Sequence, residues 1–305
     1  MALTRRQVLV AAGTLLGGSR RGRSASAGRA AELRAEVLAQ PFEALKKRAV
    51  PKRAPAPDDW LALHAEVGQP FSAYALGGPV RAARYNAFDL VMLGELDGAH
   101  RRVASVVVAY ARAFFGVPVR SALTARLEDV PADAWRRHPV TRHPQLRTGP
   151  LLEGVLRPLR PRDTIGVIAL TAADLYPEEG WNFVFGQASL EDRVGVWSLA
   201  RLGDPAREFE RCAGRAARTA VHEMAHMLSL PHCIAYECVV NGSNSLRESD
   251  QAPAEPCPIC LQKLCWNTGA DPVKRAEALV RVARDRGLTA WLPLLEERSA
   301  ALRTL

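Results

Sequence analysis

The 305-residue chain is 48% hydrophobic and 24% charged, a globular composition long enough to bury one good core. Its formal charge of +9 invites a nucleic-acid or membrane-surface role, but residues 1–27 carry five arginines and no acids, leaving 36 basic against 32 acidic residues in the remainder. No stripe of interleaved aromatic and basic residues is present either, so no nucleic-acid partner is expected.

Taken from the start, Thr4-Arg5-Arg6-Gln7 precedes an apolar run to about Gly18 and then Ala25-Ser26-Ala27, the pattern of a twin-arginine export signal with an A-x-A cleavage site. The run is too short to span a bilayer, so no stable membrane span is expected. The expected location is periplasmic or extracellular. The alternative is a cytoplasmic enzyme with an arginine-rich tail. Gly28 to about Val50 predicts one helix, and Pro51–Pro57 a proline-rich linker. This divides the chain into a signal (1–27), an N-terminal extension (28–97) and a catalytic domain (98–305).

Arg101–Phe115 predicts a long helix closed by Gly116 at its C-cap. Thr164–Thr171 and Val194–Leu202 are short apolar runs with β-branched residues, expected as central strands. Arg207–Leu228 predicts an alanine-rich helix, and Pro272–Arg286 and Ala290–Leu302 two closing helices. His64, His100, His138 and His143 lack metal-ligand spacing and are expected at the surface. Cys212 and Cys265 are expected as buried thiols.

The chemistry concentrates in His222-Glu223-Met224-Ala225-His226 and the six residues after it. At 3.6 residues per turn His222 and His226 share one helix face and reach one tetrahedral cation, and Glu223 beside them is the natural general base for a zinc-bound water. His232 supplies the third ligand, provided the helix ends and the chain reverses just after Leu228. The competing description is an amphipathic helix with stacked histidines and a solvated glutamate. Cys233, Cys238, Cys257 and Cys260 follow with the spacing of a structural zinc site, closed by four thiolates with no open position. Two disulfides or free thiols are the alternative.

These residues resemble the archaemetzincins, whose pattern joins HExxHxxGxxH to a CxxxxC pair and a later CxxC. Leu170–Tyr176, Asn182–Gly186, Ser198–Leu202 and Leu261–Leu264 also look like that family, and the likeness runs from about Gly98 to the C-terminus. It implies an α+β fold of metzincin-like zincin type: a small mixed sheet packed on an active-site helix, a four-cysteine structural zinc site, and C-terminal helices. It also implies two zinc ions per chain, one on His222, His226 and His232 and one on the four cysteines. Trp181–Gly186 would be the edge strand above the cleft, with Trp181, Phe183 and Phe185 binding substrate. Two positions depart from the pattern: Ser229 stands where the turn carries glycine, and Val240 where the turn beneath the metal carries methionine.

The expected function is zinc-dependent hydrolysis of peptide bonds by a monomer acting on a peptide or protein. The rival, motivated by Ser229 and Val240, is a zinc-stabilised peptide-binding protein with weak or no hydrolysis. Export by the twin-arginine route should depend on Arg5 and Arg6, so replacing both with lysine should retain the protein in the cytoplasm. Fractionation showing normal export of that variant would refute the signal assignment.

Overall fold

The computed structural model describes Phe42 and residues 45–304, and the expected signal and most of the first helix lie outside these. In chain order come the single turn α1 (Trp60–Leu63), α2 (Phe71–Leu76), β1 (Ala87–Leu93), α3 (Gly98–Phe115) and β2 (Val119–Ala125). Short strands β3 (Trp135–Arg137) and β4 (Pro144–Arg147) precede β5 (Thr164–Thr171), β6 (Asp174–Tyr176), β7 (Gly186–Ser189) and β8 (Val194–Ser198). Then follow α4 (Phe209–Met227), α5 (Leu246–Gln251), α6 (Pro258–Thr268), α7 (Pro272–Arg286) and α8 (Leu292–Arg303).

Five strands form the main sheet in the order β2-β1-β5-β8-β7, parallel except for the antiparallel edge strand β7. β5 lies at its centre and every one of its residues is buried, which is why it reads as a near-continuous apolar run. Its side chains alternate between two cores. Ile168 and Leu170 face the helices α3 and α4, while Val167 and Ala169 face Leu146, Leu151, Leu156 and Leu175 on the other side. Gly166 lets the end of α4 come close, because a Cβ there would stand 2.4 Å from the sulfur of Met227. β4 pairs with β3 and β6 in a smaller sheet.

The main strands and helices form where the sequence places them, within a few residues. Asp97 caps α3 by accepting from the His100 amide, and Gly116 ends it at φ 65°.

Two expectations need correction. The first is the boundary at Gly98: β1 precedes it yet pairs with both β2 and β5, so the extension supplies a strand of the main sheet. The proline-rich linker is docked as well. Pro51 bridges Tyr236, and the Lys52 amide donates to Ala235 O at 3.1 Å, because proline-rich chain without a helix or sheet of its own still pairs its backbone where a partner loop offers groups.

The second is the edge strand expected at Trp181–Gly186, which forms instead at Gly186–Ser189. The preceding residues are an irregular segment, several of whose backbone groups are already engaged. Arg136 donates to Trp181 O at 2.5 Å, Gln145 to Asn182 O at 2.8 Å, the Val184 amide to Leu175 O at 2.9 Å, and the Ser198 amide to Phe185 O at 2.8 Å. Phe183 and Phe185 are buried in the core, with the Arg201 guanidinium 3.7 Å over the Phe183 ring. The apolar pattern of this segment therefore reflects burial, not an edge.

The helical layer is tied together by a buried ion pair. Arg275 on α7 donates to both oxygens of Glu255 at 3.0 and 3.1 Å and to Phe114 O at 2.7 Å, with both side chains almost wholly buried. Removing one partner strands the other charge in the core, so Glu255→Ala should lower stability by about 3–5 kcal/mol. Glu255→Leu combined with Arg275→Met should cost much less, because no lone charge remains. Urea unfolding of both variants checks this, and equal losses would contradict it.

Candidate metal centre and active site

Helix α4 presents its alanine face, Ala213, Ala216, Ala217 and Ala220, to the core, and His222 and His226 follow one turn apart near its end. Their Nε2 atoms are 3.0 Å apart. Two nitrogens held about 2.0–2.1 Å from one tetrahedral zinc would be separated by about 3.4 Å, so little movement is needed. Both Nδ1 atoms are occupied, His222 by Val239 O at 2.8 Å and His226 by Leu230 O at 2.5 Å, which fixes the tautomer and leaves both Nε2 lone pairs free. Burial and the neighbouring imidazole push His222 down to about 3, and burial holds His226 well below the usual range. Both are neutral, the form that ligates metal.

The helix then stops abruptly. Leu230 N donates to Ala225 O and Ser229 N to His226 O, a Schellman closure with Ser229 left-handed at φ 68°. The chain reverses as the sequence requires, and His232 returns to the other two, with one ligand nitrogen of each histidine within 4.8 Å of the others. Ser229 offers something glycine cannot: its Oγ accepts from the Val80 amide at 3.1 Å. Val240 is fully buried, and its neighbour Val239 supplies the carbonyl that orients His222, so the turn acts on the site through its main chain.

Glu223 is buried beside the imidazoles, its Oε1 4.0 Å from His222 Nε2. Burial drives its carboxyl up to about 8. The nearby Trp197 indole opposes this only weakly, since neither its Nε1 nor Glu223 Oε2 makes an aligned hydrogen bond. The carboxylate is therefore poorly solvated and suited to taking up a proton.

The four cysteines converge as a second cluster. Cys233, Cys238, Cys257 and Cys260 are buried and unbridged, with their sulfurs within 4.8 Å of one another and Cys233 Sγ 3.6 Å from Cys257 Sγ. Sulfurs on a tetrahedral zinc would be about 3.8 Å apart. Amides of Val240 and Cys257 point at Cys238 Sγ, and that of Cys260 at Cys257 Sγ, an arrangement that stabilises thiolates. Hydrogen bonds from the other three thiols hold Cys233 far below the ordinary range, while burial pushes Cys238 and hydrogen bonding to Cys233 pushes Cys260 well above it. Alone, the cluster accommodates little negative charge, and a dication is what would let all four ionise. Cys212 and Cys265 stand apart, their thiols pushed up to about 11 by burial.

Several site residues come from the N-terminal third and were missed. Glu66 Oε1 accepts from His232 Nδ1 at 2.6 Å and from Trp60 Nε1 at 2.7 Å, and Tyr74 donates to Leu228 O at the end of α4 at 2.7 Å. No periodicity or motif marks these residues. Among the lone histidines, His64 stacks on Trp60, and His138 is buried with Nδ1 accepting from the Val140 and Thr141 amides. The expectation of a surface position fails for His138 because it caps its own turn.

Fold and side chains together define a zinc metallopeptidase of the metzincin type. Known proteins agree. The profile of peptidase family M54 matches residues 160–265. Archaemetzincin-2 of Pongo abelii is 32% identical over 266 residues, covering 74% of this chain and 72% of the relative, and archaemetzincin-2 of Homo sapiens is 31% identical with the same coverage. The solved archaemetzincin of Methanopyrus kandleri is similar with a TM-score of 0.50 at 28% identity, over 61% of this chain and 97% of that one. The chain belongs to the archaemetzincin family.

At Ser229 two effects nearly cancel. Glycine would relieve about 1 kcal/mol of left-handed strain, and would lose a hydrogen bond worth about 1 kcal/mol. Ser229→Gly should therefore unfold in urea within about 1 kcal/mol of the parent. A larger loss would show that the contact with Val80 dominates the turn.

Proposed function

We propose that the protein hydrolyses peptide bonds at a zinc held by His222, His226 and His232, with Glu223 as general base, and that a second zinc on Cys233, Cys238, Cys257 and Cys260 is structural. The observation that carries this is the convergence of three imidazoles, the helical pair with Nδ1 occupied by main-chain carbonyls and Nε2 turned to the common point, beside the buried Glu223 carboxylate.

When bound, the histidine zinc supplies Lewis-acid polarisation of the scissile carbonyl and acidifies water. The chain's own groups do the rest. Main-chain carbonyls of Val239 and Leu230 hold His222 and His226 in register. Glu223 takes the proton from the attacking water and returns it to the leaving amine, a shuttle favoured by its raised proton affinity in a dry environment. An extended substrate would add to β7, the edge of the main sheet beside Trp197, and not to Trp181–Phe185, where the carbonyls of Trp181, Asn182 and Phe185 are engaged. Cys233, Cys238, Cys257 and Cys260 would hold a structural zinc with no position left for substrate, and so would pin the loop after His232.

Glu223→Ala separates binding from catalysis. Zinc content should stay at two per chain while peptide cleavage falls by about 10²–10⁴, the usual contribution of a positioned base. His226→Ala should lose the histidine zinc and all cleavage, because two histidines make a poor site. Metal analysis and hydrolysis of a mixed peptide library test both. Unchanged cleavage by Glu223→Ala would overturn the general-base assignment, and absence of cleavage by the zinc-loaded parent would favour a peptide-binding role.

A further inference from the structure

We infer that Glu66 is a positioning residue for the metal centre: its carboxylate holds His232 through Nδ1, and the N-terminal segment carrying it completes a site that the catalytic helix cannot complete alone. This rests on the assignment of the three histidines as zinc ligands.

The three histidines are held in different ways. His222 and His226 sit on α4, and their Nδ1 atoms bond to nearby main-chain carbonyls. His232 lies beyond the left-handed turn, off the helix, and its Nδ1 is bound by a side chain 166 residues away. Donation from Nδ1–H to Glu66 selects the tautomer whose Nε2 lone pair is free. Any such acceptor raises the basicity of the imidazole, and a charged carboxylate does so more than a neutral carbonyl.

Glu66 is itself held. The same oxygen accepts from Trp60 Nε1, and the Trp60 ring stands edge-on to His232 with centroids 5.0 Å apart. Trp60 lies against Gly242, where a Cβ would be 2.5 Å from the indole Cδ1, so only glycine admits the ring. Its amide donates to both oxygens of buried Glu248, which also accepts from the Asn244 amide. Further along, Lys263 donates to Gln69, and Asn267 ties Tyr74 and Val80 to α6. Tyr74 and the Val80 amide then grip the turn at Leu228 and Ser229. The segment thus holds both the turn and the histidine that follows it.

The plainer account is an ordinary histidine–carboxylate pair that stabilises the fold and has no bearing on metal. The two differ in zinc affinity. The full chain with its cysteine site filled would be titrated with zinc against a chromophoric chelator, for the parent, Glu66→Gln and Glu66→Ala, alongside urea unfolding of the metal-stripped proteins. Glu66→Ala should bind the histidine zinc about 10–100-fold more weakly, the usual effect of losing such a partner, and Glu66→Gln should fall between, since it still accepts the hydrogen bond without the charge. The urea midpoints report any purely structural loss separately. If Glu66→Ala does not fold, the near-isosteric Glu66→Gln carries the test. Zinc affinities within about twofold of the parent would overturn the proposal, whatever the midpoints do. A parent that binds zinc tightly but cleaves no peptide would refute the peptidase assignment and leave Glu66 standing.

Discussion

A helix can bring two imidazoles to one point in space, but it cannot bring a third from its own axis, and the structure around this site answers that constraint. The helix must end within one turn of His226, and the chain must double back before His232. Ser229 in the left-handed region makes the reversal, and the two Schellman hydrogen bonds lock it. Serine at this position bears strain that glycine would not, and a hydroxyl bond to the Val80 amide offsets it. The departure from the glycine pattern thus exchanges conformational ease for a tie to another part of the chain.

That tie belongs to a wider arrangement in which each of the three histidines is steered from behind. Val239, next to the buried Val240, orients His222, so the turn that elsewhere carries methionine still contributes its carbonyl. Cys233 directly follows His232, and Cys238 directly precedes Val239, so the cysteine cluster clamps the loop that carries both His232 and the carbonyl that orients His222. Glu255, two residues before Cys257, is locked by Arg275, and its carbonyl accepts from the Val239 amide. The thiol cluster, the buried ion pair and the histidine site form one continuous scaffold, and a disturbance in any of them reaches the imidazoles through a few bonds.

Much of this was legible in the amino-acid order. The spacing of His222, Glu223 and His226 specifies a shared helix face by geometry alone, and the all-apolar runs at Thr164 and Val194 specify strands buried on both sides. The spacing of His232 and of the four cysteines marked a third ligand and a second metal site, and resemblance to the archaemetzincins joined them into one pattern. The resemblance placed the edge strand at Trp181–Gly186, but it forms at Gly186–Ser189, and Phe183 and Phe185 are buried. Whether the backbone beside them is free depends on Arg136, Gln145 and Ser198, which arrive from elsewhere in the chain.

Local order determined the elements and the ligand inventory, because helical periodicity, strand burial and turn chemistry act over a few residues. Tertiary structure alone decided that the N-terminal third belongs to the site. Glu66 meets His232, and Trp60 meets Gly242, across more than 160 residues, through one or two contacts each that leave no period or motif behind. It also decided that β1, ahead of the resemblance, sits inside the catalytic sheet. Such long-range pairings are fixed by the shape of the folded core and by the need to satisfy every buried polar group, and neither is written in a local stretch of sequence.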